Sequence, residues 1–161
     1  MDRQPKRAGA RTSALWGVLV AGMGLFVVLA GIGVIPVERR AADAPPWVIA
    51  CAGLVFVLGG LALMVQAAGG APDSTGVLPA GAPRWMRPAQ ALLALGIVVG
   101  LALVCSWIAF GPGERQFGGS FSGVLGDQAN ERVGRVVFGA GAVLTWLFAA
   151  AVTVKAVRRR V

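Results

Sequence analysis

Four long stretches without a charged side chain constrain this chain more than any other feature. An α-helix rises about 1.5 Å per residue and the hydrocarbon core of a bilayer is about 30 Å thick, so a crossing helix needs roughly 20 apolar residues. The stretches are residues 14–35, 47–66, 90–110 and 136–154. Because they are continuously apolar rather than alternating, they favour helices over a barrel. The predicted fold class is all-α: a polytopic membrane protein with a four-transmembrane-helix bundle in one membrane domain, residues 1–161.

The composition excludes most catalytic chemistry. The chain has no His, no Tyr, two Cys and seven Asp and Glu. Metal sites held by His, Ser–His pairs and paired carboxylates inside the bilayer need residues that the spans lack. Ion-coupled transport usually needs an ionisable group within the membrane, and the hydroxyls of Ser106, Thr145 and Thr153 are expected to bond to carbonyls of their own helices. The sequence therefore predicts a non-enzyme with no catalytic residue, metal or cofactor.

The basic residues predict the orientation. Ten of the 15 Lys and Arg lie in the tails, residues 1–13 and 155–161, and in the second connection, residues 67–89. The first and third connections, residues 36–46 and 111–135, balance their Arg with Asp and Glu. By the positive-inside rule both termini and loop 67–89 are cytoplasmic, and loop 111–135 is outside. The net charge of +8 is then interpreted as topology and contact with anionic lipids at the cytoplasmic face, and not as nucleic-acid binding.

The source and membrane are predicted from composition alone. Abundant Ala, Gly, Val and Arg beside only two Lys indicate a GC-rich bacterial genome, and hence the inner (plasma) membrane. The start resembles a secretory signal that ends at Ala42-Asp43-Ala44, but its apolar run is long for a signal core and Pro45 follows directly. An uncleaved first span is favoured.

Small residues recur at helical spacing and predict how the helices pack. Lipid gives apolar side chains no reason to leave it, so helices associate where small residues let backbones approach. The predicted seam of span one is Gly17, Ala21, Gly24, Val28, Gly31 and Ile35; that of span two is Ala50, Gly53, Val57, Gly60 and Met64; that of span four is Gly139, Ala142, Trp146, Ala149 and Thr153. In span three, Gly96 and Gly100 form a Gly-x-x-x-Gly pair, for which intrachain packing, an intermolecular face and coincidence remain open.

The third connection is the most distinctive loop. Glu131 and Arg135 are four residues apart and are expected to pair at the mouth of span four. Residues 116–125 are rich in glycine and alternate loosely between apolar and small polar side chains. A solvated connector with glycine turns is favoured, and a short hairpin or a loop on the membrane surface is the alternative. The candidate interaction residues of the chain are Gly96, Gly100, Arg115, Phe117, Phe121, Glu131 and Arg135.

Aromatic and sulfur-containing side chains add two expectations. Four tryptophans fall near span ends, where an amphipathic ring prefers the interface, whereas Trp146 is deeper and is interpreted as a packing residue. Cys51 and Cys105 should lie at similar depth, so a disulfide is one alternative and two unpaired thiols the favoured one.

These observations predict a small integral inner-membrane protein that acts as a non-catalytic accessory, scaffold or interaction subunit. Its partner would be another membrane protein or further copies of the chain. The alternatives are a transporter or channel component acting as an oligomer, and an envelope sensor that uses the outer loop.

Overall fold

The computed structural model describes residues 5–36, 44–69, 81–112 and 127–158, and each of these segments is dominated by one helix. Helix α1 spans Pro5–Gly31, α2 spans Pro46–Gly69, α3 spans Met86–Phe110 and α4 spans Asp127–Arg158. No strand occurs in the described segments. All four helices are long and apolar enough to cross a membrane. The predicted fold class, an all-α bundle of four transmembrane helices, is confirmed.

Each helix packs against the next one in the chain. Contacts join α1 to α2, α2 to α3 and α3 to α4, and within the described segments α1 and α4 do not touch. All three pairs are antiparallel. Gly31 at the end of α1 meets Ala50 near the start of α2. Trp47 at the start of α2 meets Trp107 near the end of α3, and Arg135 in the first third of α4 bonds to Gly111, which directly follows α3. The bundle is therefore an open row with α1 and α4 at its edges. The end of the row away from both chain termini is called the far end below.

Helix α1 ends earlier than the apolar pattern predicts. The apolar run continues to Ile35, but the helix stops at Gly31 and Gly33 adopts a φ of 83°. The amide of Gly33 donates to the carbonyl of Ala30 at 3.2 Å, and the amide of Val34 donates to that of Leu29 at 2.9 Å. This pair of bonds is a Schellman cap, which needs a left-handed residue that glycine supplies without steric cost.

Helix α4 begins earlier than the apolar pattern predicts. It starts at Asp127, so the polar residues 127–135, expected to belong to the outer loop, form its first turns. These turns carry Glu131 and Arg135, whose side chains pair. Apolar periodicity does not register such an extension, because most of its residues are polar.

The α1–α2 pair is a contact between two backbones. A Cβ placed on Gly60 would lie 2.5 Å from the amide nitrogen of Ala21 and 2.5 Å from the carbonyl oxygen of Gly17. A Cβ on Gly24 would lie 2.6 Å from the amide nitrogen of Val57. A Cβ on Gly17, Gly31 or Gly53 would lie 2.7–2.8 Å from a backbone atom of the opposite helix. The seams predicted for spans one and two are thus confirmed between Gly17 and Gly31 on α1 and between Ala50 and Met64 on α2.

The α3–α4 pair is built on alanine instead of glycine. Ala102 and Ala109 on α3, and Ala142 and Ala149 on α4, are buried, and the two members of each pair are seven residues apart. A Cβ on Gly139 would meet Ala109 and Phe110 at 3.6 Å, an ordinary van der Waals distance. This interface is therefore looser than the α1–α2 interface.

Candidate interaction site

The Gly-x-x-x-Gly pair of α3 faces α2 of the same chain. A Cβ on Gly100 would lie 2.5 Å from Cγ2 of Val55, and one on Gly96 would lie 2.9 Å from Cδ1 of Leu58. The thiol of Cys51 also points at this segment and donates to the carbonyl of Gly100 at 3.7 Å. The structure thus places both glycines in an intrachain contact. Their neighbours are apolar side chains of α2, and not its backbone.

At the far end of the row, the side chain of Arg135 joins α4 to the end of α3. Nε and Nη2 of Arg135 lie 3.0 and 2.9 Å from Oε1 of Glu131, and Nη1 donates to the carbonyl of Gly111 at 3.4 Å. The expected Glu131–Arg135 pair is confirmed. Both side chains are about one quarter to one third exposed, so water screens the pair less than a fully exposed one. Gly111 caps α3, and a cation there interacts favourably with the helix dipole. This arrangement is called the Arg135 clasp.

Two tryptophans join α2 and α3 at the same end. The rings of Trp47 and Trp107 meet edge to face, with centroids 6.4 Å apart and planes at 84°. Trp47 lies in the first turn of α2 and Trp107 in the last turn of α3. Such an arrangement combines aromatic contact with the interfacial position that tryptophan prefers.

The hydroxyls of the spans are bonded within their own helices, as expected. Ser106 donates to the carbonyl of Ala102 at 2.6 Å, Thr153 to that of Ala149 at 2.8 Å, and Thr145 to that of Gly141. The indole N–H of Trp146 donates to the oxygen of Ser106 at 3.2 Å and so joins α4 to α3. Trp146 is nevertheless 43% exposed, so its ring covers the edge of the interface and does not fill a core.

Three of the candidate interaction residues, Arg115, Phe117 and Phe121, lie outside the described residues. Cys51 and Cys105 are both free thiols. Within the four described segments, no three His, Cys, Asp or Glu side chains come together in a way that could hold a metal ion.

Sequence reasoning missed two partners. The carbonyl of Gly111 and the hydroxyl of Ser106 accept bonds from α4, 24 and 40 residues away. The pattern around Arg135 indicates its local partner Glu131, because that spacing is helical. No local pattern indicates a remote carbonyl as the second partner.

The fold and these contacts define a multi-pass membrane protein whose four helices associate through small residues. No protein-family model matches the chain, and no curated protein or solved structure is significantly similar to it.

Proposed function

We propose that this protein is a non-catalytic accessory or scaffold subunit of a bacterial inner-membrane complex, with both termini in the cytoplasm. The observation that carries the proposal is the open row of helices. Helices α2 and α3 each have two neighbours, whereas α1 and α4 have one each. The outward faces of α1 and α4 are therefore free for partner helices within the membrane.

The two outward faces have the same arrangement, a glycine among large apolar side chains. On α1, the face opposite the seam carries Leu15, Leu19, Gly22 and Phe26; on α4, the face turned away from α3 carries Val137, Gly141 and Phe148. The large side chains of both faces are exposed, and a Cβ on either glycine would meet nothing within 4 Å. The glycine lets another helix approach closely, and the large apolar side chains around it contact that helix.

The bonding of the hydroxyls supports an accessory role over a transport role. A solute path through the spans would need polar groups turned towards it, but Ser106, Thr145 and Thr153 donate to carbonyls one turn back. The apolar stretches 14–35, 47–66, 90–110 and 136–154 also hold no charged residue. Packing against another membrane protein requires neither kind of group.

The test is affinity purification of the native protein in mild detergent, with each co-purifying protein quantified against it. Gly22→Leu and Gly141→Leu add bulk to the outward faces without an internal clash. The matched control is Gly59→Leu on the central helix α2, where a Cβ also meets nothing within 4 Å. We expect a stoichiometric membrane partner that is lost with Gly22→Leu or Gly141→Leu and retained with Gly59→Leu.

Two results would contradict the proposal. A closed homo-oligomer with no other protein would favour the channel or transporter component. A partner that binds all three variants equally would show that the outward faces do not carry the association.

A further inference from the structure

A groove lies between α3 and α4 near the far end of the row. It is shallow and largely open and has a volume of about 590 Å³, and its walls include Ala109, Phe110, Arg135, Gly139, Val143 and Leu144. All of these residues except Arg135 are apolar. The missing side chain at Gly139 gives the groove its depth, because a Cβ there would already contact Ala109 and Phe110 at 3.6 Å.

Arginines lie at the far end of this groove. Arg135 is held in the clasp by Glu131 and the carbonyl of Gly111, so its charge is balanced and its position fixed. Arg132 is exposed. It precedes Arg135 by three residues and Val136 by four, which places it on the groove face of α4. Since Glu131 pairs with Arg135, Arg132 supplies the additional positive charge that a ligand in the groove would meet.

The length of the groove matches one leaflet of a membrane. From Arg135 to Leu144 the helix rises about 13 Å, and half of the hydrocarbon thickness is about 15 Å. Both arginines directly precede the apolar stretch 136–154, so the predicted topology puts them at the level of lipid headgroups. The groove is apolar along its length and has a guanidinium at one end, which matches the polarity of a phospholipid. An acyl chain fits the apolar part, and a guanidinium recognises phosphate well.

We propose that the groove binds one anionic phospholipid. An acyl chain lies along Gly139 and Val143, and the phosphate contacts Arg132 beside the Arg135 clasp. Gly141 does not line the groove, so the lipid and the partner helix of the proposed function contact different residues of α4.

The test uses the purified full-length protein in mild detergent, with phosphatidylglycerol and phosphatidylcholine added in equal amounts, and native mass spectrometry to count retained lipids. We expect one phosphatidylglycerol on the unaltered protein and roughly tenfold less on Gly139→Leu, which corresponds to about 1.4 kcal/mol of binding free energy. Gly141→Leu adds the same side chain to another face of α4 and should retain the lipid. Val143→Phe fills the groove from its exposed wall and serves if Gly139→Leu fails to fold.

A second arm tests the headgroup. Arg132→Gln should retain lipid but lose the preference for phosphatidylglycerol over phosphatidylcholine. Inorganic phosphate alone, measured by calorimetry, should show no saturable binding, because the apolar contact is missing.

Three results would overturn the proposal. One is equal lipid retention by Gly139→Leu, Val143→Phe and Gly141→Leu. Another is binding of inorganic phosphate as tight as that of the lipid. The third is a dimer mass that disappears with Gly139→Leu, which would assign the groove to a second copy of the chain.

Discussion

At Gly60, the lack of a methyl group allows the backbones of α1 and α2 to pack in contact. The Cα of Gly60 is so close to α1 that a Cβ would lie 2.5 Å from two backbone atoms, the amide nitrogen of Ala21 and the carbonyl oxygen of Gly17. Backbone cannot rotate away as a side chain does. The neighbouring Gly59 has nothing within 4 Å of the same point, so two adjacent glycines have opposite roles.

We expect alanine to have different effects on stability at Gly60 and at Gly59. Gly60→Ala should force α1 and α2 apart and lower the free energy of unfolding by about 1–3 kcal/mol, the usual cost of overpacking. Gly59→Ala is the control and should leave stability unchanged or raise it by up to about 1 kcal/mol, because alanine is the better helix former. Unfolding by dodecyl sulfate in mixed micelles, followed by circular dichroism, measures both. Equal stability of the two variants would show that the α1–α2 backbones are not in contact.

At the scale of the element, the three helix pairs use three kinds of contact. The α1–α2 pair joins backbone to backbone, the α2–α3 pair joins glycines to apolar side chains, and the α3–α4 pair joins alanines and adds polar bonds at Arg135 and Trp146. Hydrophobic burial does not drive helix association in lipid, so fit between surfaces does. We therefore expect the helix pair with the closest contacts to be the most stable.

The α2–α3 pair provides a prediction at this scale. At Gly100 a Cβ would meet Cγ2 of Val55, whose branched side chain is confined to one rotamer in a helix. At Gly96 it would meet only the flexible tip of Leu58. Gly100→Ala should therefore cost about 1–3 kcal/mol of unfolding free energy and Gly96→Ala less than about 1 kcal/mol.

The same micelle titration separates these two variants. In addition, Val55→Ala should restore part of the stability lost in Gly100→Ala, since it removes the atom that clashes. Lack of rescue would mean that Gly100 does not face Val55.

At the scale of the whole molecule, the antiparallel row brings both chain termini to one end. An even number of crossings requires this, and the basic tails identify that end with the cytoplasm under our proposal. The far end then carries the Arg135 clasp, the Trp47–Trp107 pair and the proposed lipid groove, all on the outer side of the membrane.

Orientation is tested with reporters fused to each terminus. We expect a cytoplasmic reporter to be active, and a reporter that needs export to be inactive, at both the N- and the C-terminus. A fusion within residues 113–126 should give the reverse pattern and serves as the control. Opposite results at the two termini would contradict four crossings, and export of both termini would contradict the orientation alone.

Local patterns in the sequence determined much of this protein. They determined its four spans, the seams of α1 and α2, and the Glu131–Arg135 pair, because crossing a bilayer and forming an i,i+4 contact depend only on nearby residues. The early end of α1 at its glycine cap and the polar start of α4 were missed, because apolar periodicity does not register a cap or a solvated helical turn. Four features depend on the packing of the helices and have no local signal: the open row, the contact of Gly100 with Val55, the bond from Arg135 to Gly111 and the groove at Gly139. Those features depend on which faces of distant helices meet, and the free energy that selects them comes from shape complementarity between residues far apart in the chain.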